Sequence, residues 1–398
     1  MTFLAKNIFC GLCVLLFVVL PLAASEPENF FPVMPWNSVP NDRAVIDKIK
    51  ECGFTVAGFV APKTLKTCRK AGIKAIVSDP RISSYDWTHF DENAARPNAI
   101  RAIKAVRKNP ALYGYFVRDE PGAGMFPGLA AMASLLQQEA PGKWAYINLF
   151  PNYANADQLG ASSYEDYLEK FIAACHPTQL SYDFYALMDD GSLRDGYWNN
   201  LEQMRSAAKK HHLPFWNIVL AVAHFSYREP TAADLRFEVF SSLAYGARGI
   251  AYFDYFAPQA GNYRAAAIDQ FGHATPTWNN LQNVNLQIQK LAPTLLELTS
   301  DDTYHFGSIP TGCHGPGPDS LVTNMAGEFA VGDFTHADGT RYVMVVNKNV
   351  LKSTLCQPQF RHPPKALKFV SPYSGQVGAY VGEQVWLAPG HGVLLKLE

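Results

Sequence analysis

Short apolar runs alternate along the chain with stretches whose apolar residues recur every three or four positions, and the alternation holds from about residue 30 to about residue 298. The runs at 30–36, 54–60, 73–77, 112–117, 144–150, 180–185, 214–223 and 249–253 read as buried strands. Helices are predicted over 41–52, 65–71, 98–108, 126–140, 164–175, 198–211 and 231–247, with a last one over 277–298. Asn41 is placed to cap the first of these, Gly72 to end the second, and Thr231 with Asp234 forms an approximate capping box.

Eight strand–helix units in this span predict an α/β fold, a (β/α)8 TIM barrel over residues 26–299. Past residue 300 the pattern changes to short alternating runs at 329–334, 342–347, 366–370 and 392–397, separated by Gly, Pro and Asp. This predicts a small C-terminal antiparallel β-sandwich-like domain over 300–398, with a hairpin turning at Asp338-Gly339. Ahead of both, Lys6, an apolar run over 8–22 and the small residues Ala23-Ala24-Ser25 read as a signal peptide over 1–25. The expectation is a secreted or periplasmic protein with no stable membrane insertion once the leader is removed.

Charge and cysteines narrow the reading further. The 398 residues carry 34 Lys+Arg against 35 Asp+Glu, with no basic cluster able to hold a phosphate backbone, so nucleic acid is not an expected partner. Five cysteines follow the leader, Cys52, Cys68, Cys175, Cys313 and Cys356, an odd number that leaves at least one unpaired. Cys52 with Cys68 and Cys313 with Cys356 are candidate disulfides. No CxxC or HExxH spacing follows the leader, and His211-His212 reads as a helix C-terminal cap, so neither a metal nor an organic cofactor is implied.

The chemistry-bearing residues gather where the predicted strands end, the face at which loops of a parallel fold converge. The fourth strand runs into Arg118-Asp119-Glu120-Pro121, which sets two carboxylates side by side. Asp79 and Arg81 follow the third strand, Asn148 and Asn152 the fifth, Asp183 and Tyr185 the sixth, His224 and Tyr227 the seventh, and Asp254 and Tyr255 the eighth. Trp216 on the seventh strand is either packing or a sugar contact. Carboxylates among aromatics suit glycosidic bond cleavage: one acid protonates the leaving oxygen, and a second group stabilises or attacks the developing oxocarbenium ion. Glu120 is the candidate acid, Asp119 its orienting partner and Asp183 the leading second carboxylate. Asn148, Tyr185, Asp254, Tyr255, His224 and Trp216 are candidate substrate contacts.

Phe116-Val-Arg-Asp-Glu-Pro121 resembles the acid-bearing motif of the large clan of TIM-barrel glycoside hydrolases, in which a Glu in an Asn-Glu-Pro setting serves as acid/base. The resemblance implies a glycoside hydrolase acting on a poly- or oligosaccharide, with Glu120 as general acid/base. Two departures stand beside it. Asp119 replaces the Asn, and the seventh strand carries no carboxylate where that clan places its nucleophile; Glu229 lies several residues beyond it. The adjacent Asp-Glu pair is instead similar to hexosaminidases that use the substrate's own 2-acetamido group, in which the Asp polarises the acetamide. A third reading takes Asp183 or Asp254 as the second carboxylate. The alternative outside catalysis is a carbohydrate-binding barrel with an incomplete acid pair.

Overall fold

The computed structural model describes residues 30–398. The leader expectation lies outside them. Nine short strands come first: β1 (Val33–Pro35), β2 (Ser38–Val39), β3 (Val56–Val60), β4 (Lys74–Val77), β5 (Leu112–Asp119), β6 (Trp144–Asn148), β7 (Leu180–Asp183), β8 (Phe215–Leu220) and β9 (Gly249–Phe253). They form two parallel sheets, ordered β2-β3-β4-β5-β6 and β1-β9-β8-β7. At one junction Thr55 N donates to Val33 O at 3.0 Å, and at the other Leu149 N donates to Ser181 O at 2.8 Å.

The helices on the outside are α1 (Arg43–Glu51), α2 (Leu65–Ala71), α3 (Pro80–Ser83), α4 (Glu92–Val106), α5 (Phe126–Glu139), α6 (Ala156–Leu159), α7 (Tyr164–Cys175), α8 (Tyr197–His211), α9 (Ala232–Ala244) and α10 (Pro276–Leu295). Local chemistry sets their ends. Asp42, not Asn41, caps α1, its carboxylate accepting from Ala44 N at 2.8 Å, while Asn41 accepts from the Thr67 hydroxyl instead. An Asp at this position offers the first turn a charge as well as an acceptor. Helix α4 starts six residues earlier than its pattern suggests, because Asp91 caps it and Pro97 sits inside it. The Thr231/Asp234 capping box of α9 forms in full, and Gly72 ends α2 at φ +68°.

Between the two sheets lies an aromatic interior of Trp36, Phe59, Tyr113, Phe116, Trp144, Tyr146 and Trp216, packed with Met34, Val56, Ile76 and Ile218. Every residue of β8 is buried, as expected of a parallel strand covered on both faces. Gly249 lies against the Trp216 indole, and a Cβ at that position would run into the ring.

After α10 the chain enters a six-stranded antiparallel sheet, starting at Leu298 and ordered Leu298–Phe306, Phe329–His336, Arg341–Asn347, Gly392–Leu397, Leu367–Val370, Val377–Ala379. The expected hairpin turns at Asp338-Gly339, where His336 N donates to Thr340 O at 2.9 Å. One face of this sheet, including Phe334, Met344 and Leu394, joins the core around α9; the other gathers Tyr304, Val331, Val343 and Leu395 into a second core. The candidate disulfides do not form. All five described cysteines are free thiols; Cys52, directed at Trp278 O, and Cys356, at the Met325 sulfur, are packed as small apolar side chains, as are buried Cys68 and Cys175, while Cys313 is half-buried. Among the described residues no helix is long and apolar enough to cross a membrane.

Candidate active site

A cleft of about 240 Å³ opens at the C-terminal ends of the parallel strands. Asp119, Glu120, Asn148 and Asp183 line it, with walls from Trp36, Tyr153, Tyr185, His224, Phe225, Tyr227 and Phe253. A larger recess of about 480 Å³ lies at the opposite ends of the strands, bordered by Phe30, Lys50, Arg69 and Lys74. It contains no carboxylate, whereas the smaller cleft gathers three.

The centre of the cleft is a directed chain of hydrogen bonds. Asn148 Nδ2 donates to Asp183 Oδ1 at 2.7 Å and to Asp119 Oδ1 at 3.1 Å. The Ser181 hydroxyl donates to Asn148 Oδ1 at 3.0 Å, and the Tyr146 hydroxyl lies 3.1 Å from Ser181 Oγ. Because an amide oxygen only accepts, Ser181 spends its proton on Asn148 and Tyr146 must donate to Ser181. The amide is thereby fixed with both its protons on carboxylates. One donor group shared by two carboxylates holds their bonded oxygens within about 6 Å of each other.

Strand pairing puts these groups together. β5 and β6 are in register at Asp119 and Asn148, and Glu120 N extends the ladder by donating to Asn148 O at 2.9 Å. Glu120 then turns out of the strand at φ +43°, in the left-handed region. Pro121 behind it is anchored, its carbonyl accepting from the Tyr167 hydroxyl at 2.8 Å.

Crowding shifts all three acids. Burial first, and then the charge of Asp119, push the Glu120 carboxyl up to about 7. Asp183, enclosed in protein, is held well above the usual carboxylate range by burial and then by Glu120 and Asp119, against the opposing pull of Asn148. Asp119 keeps contact with water in the cleft although protein surrounds it elsewhere; burial raises it, and Asn148 and Arg118 counteract. His224 is pushed down by burial, and its Nδ1 lies 3.3 Å from Val222 O, so the neutral ring holds its proton on Nδ1 and leaves Nε2 bare.

The remaining expected residues divide. Tyr185 and His224 join the acids in the cleft, Tyr185 stacked on Phe253 with centroids 5.1 Å apart. Asp254 is buried, with Oδ1 unpartnered and burial pushing it up to about 8, but it is not among the residues that line the cleft. Trp216 is fully buried in the interior against Trp144 and Tyr113, because its place near the start of β8 points it away from the strand ends. Tyr255 is also buried, on the helix side of β9, where its hydroxyl accepts from Trp278 Nε1 at 3.1 Å. Asp79 and Arg81 pair with each other at 2.6 Å, Asn152 binds Asn200 and Gln203, and Glu229 is exposed beside Arg264 at 3.3 Å.

Phe225, Phe253 and Trp36 also line the cleft, and none is among the residues expected there from the sequence. The signal for Phe225 was its position: it immediately follows His224 where the seventh strand ends.

Comparisons with solved structures agree on the fold. A protein described as a glycoside hydrolase superposes with TM-score 0.60 at 13% identity over 93% of each chain. A glycoside hydrolase family 5 protein from Bacteroides vulgatus gives 0.61 at 12% identity over 93% of this chain and 89% of that one. The β-galactosidase of the psychrophilic Marinomonas ef1 gives 0.53 at 10% identity, matching 67% of this chain and only 62% of that one. No protein-family model and no curated protein matches the sequence. At these identities the likeness is one of fold: parallel α/β sheets followed by an antiparallel sheet, as in glycoside hydrolases.

Proposed function

We propose that the protein is an exported glycoside hydrolase in which Glu120 acts as general acid/base on a poly- or oligosaccharide. The two parallel sheets, joined through Thr55–Val33 and Leu149–Ser181, are read as one eight-stranded (β/α)8 barrel whose first strand is split into β1 and β2. The observation that carries the function is the Asn148 amide bonded to both Asp119 and Asp183 beside Glu120. Three acids gather around a neutral amide at the open end of the strands, and the hydrogen bonds that join Asp119 to Asp183 run through that amide rather than through a cation. Residues 1–25 are read as the export leader.

In this reading Glu120 holds its proton near neutral pH and passes it to the glycosidic oxygen as the anomeric C–O bond breaks. Asp119 and Asp183 share negative charge across Asn148 and face the positive charge that develops on the sugar. Water then adds at the anomeric carbon and returns a proton to Glu120. Where β8 gives way to Val222, Ala223 and His224 there is no carboxylate, which favours either Asp183 or a substrate 2-acetamido group as the second participant.

The test is hydrolysis of aryl glycosides of glucose, galactose, mannose and their 2-acetamido analogues. Cleavage confined to 2-acetamido sugars would assign the second role to the substrate; cleavage of plain glycosides would assign it to Asp183 or Asp119. Binding of polysaccharide without cleavage of any glycoside would replace the hydrolase reading with a lectin-like one.

A further inference from the structure

The segment after β8 is held by the loop after β9 at three successive positions. Ala223 and Arg264 exchange backbone hydrogen bonds, 3.0 Å in each direction. The His224 ring stacks on Tyr263, with centroids 5.1 Å apart and planes 8° from parallel. The Asn262 side chain brackets Phe225, accepting from its N–H at 2.7 Å and donating to its carbonyl at 3.0 Å.

What this bracket holds is unfavourable by itself. Phe225 has φ +44°, a left-handed conformation that a bulky residue adopts only where the surroundings impose it. The residue is 73% exposed, so burial returns little for that strain, yet it forms part of the cleft that contains Asp119, Glu120 and Asp183. Core packing therefore does not account for a strained, exposed aromatic held by a dedicated side chain. Binding does. An aromatic face presented at the edge of a cleft suits the apolar C–H face of a pyranose ring, while the polar edge of the same ring turns to the acids.

We propose that Phe225 is the sugar-stacking platform of the cleft, and that Asn262 is its positioning residue. The assignment rests on the carbohydrate reading of the site and adds to it the class of ligand surface recognised: a pyranose with an unobstructed run of axial hydrogens on one face.

The experiment is calorimetric titration of the Glu120→Gln protein with β-linked tetrasaccharides of glucose, galactose and N-acetylglucosamine, repeated with second substitutions at Phe225 and Asn262. Phe225→Ala weakens the tetrasaccharide that binds by about tenfold, and Phe225→Trp restores it. Asn262→Ala weakens it severalfold. Phe225→Gly loses affinity like Ala but raises the thermal midpoint, because glycine relieves the left-handed backbone. Affinity and stability moving in opposite directions is a pattern that a merely structural role does not give. Equal affinity in Phe225→Ala overturns the platform and leaves the carbohydrate reading standing. If none of the tetrasaccharides binds the parent Glu120→Gln protein, the carbohydrate reading is overturned and the platform falls with it.

Discussion

Asn148 sits 2.7 Å from Asp183 Oδ1, and this bond is what ties the deepest acid of the cleft to the two at its surface. The same amide reaches Asp119, and its orientation is dictated from behind by Ser181 and Tyr146. Asn148→Ala removes the donor from both carboxylates and strands the Ser181 hydroxyl. Activity is expected to drop by about 10²-fold, as when a single orienting donor is deleted, and stability by about 1–3 kcal/mol. Steady-state kinetics beside denaturant unfolding checks both.

The pH dependence follows from Glu120. An acid must be protonated to act, so kcat/KM falls as pH rises through about 7. Asp119 is the second cause of that raised value, after burial. Asp119→Asn removes a like charge and so moves the alkaline limb to lower pH, without taking it down to the ordinary glutamate value. A limb that stays in place in a residually active Asp119→Asn protein contradicts the coupling.

Asp254 provides a stability test free of the cleft. Its carboxyl is buried with one oxygen unpartnered and is raised from 3.8 to about 8. The folded protein therefore binds this proton more tightly than the unfolded chain does, and the group withdraws stability as pH rises from about 4 towards 8. Asp254→Asn cannot ionise. Its stability relative to wild type is expected to be level at pH values near 4 and to improve by up to about 1.4 kcal/mol per pH unit above that. Urea unfolding at several pH values reads the slope, and a pH-independent difference contradicts it.

Trp216 is expected to act through packing. It fills the interior between the sheets against Trp144 and Tyr113, with Gly249 leaving room for its ring. Trp216→Ala should cost about 3–5 kcal/mol, whereas Trp216→Phe keeps its affinity for saccharide. Loss of affinity in a well-folded Trp216→Phe protein would put this residue back among the sugar contacts.

Much of this arrangement can be read from the residues, and the failures share a cause. Helices with a strong apolar period and a local stop, such as α2 before Gly72 and α9 after Thr231, match their sequence signals because caps and periodicity are local. The motif Arg118-Asp119-Glu120-Pro121 points to the cleft because an apolar strand that ends in charge has to end at a surface. Trp216 and Tyr255 are different. Each lies on a strand or just past its end, and whether its side chain faces inside, outside or the cleft depends on register and bulges, such as the shift between Phe116 and Arg118 in β5. The cysteines fail for the same reason: pairing needs two chain segments to meet, and spacing along the sequence does not report it. Beyond its place directly after His224, nothing in the sequence marks Phe225, because its left-handed backbone and the Asn262 bracket have no sequence period.

The role of Glu120 is tested most directly by giving Glu120→Gln two substrates that share a glycone and differ in leaving group. A phenyl glycoside needs a proton as its C–O bond breaks; a dinitrophenyl glycoside leaves without one. The account predicts a loss of about 10²–10⁴-fold on the phenyl substrate and near wild-type bond cleavage on the dinitrophenyl one, with the alkaline limb near 7 abolished. Equal losses on both substrates, or no loss on either, would contradict the assignment of Glu120 as the acid.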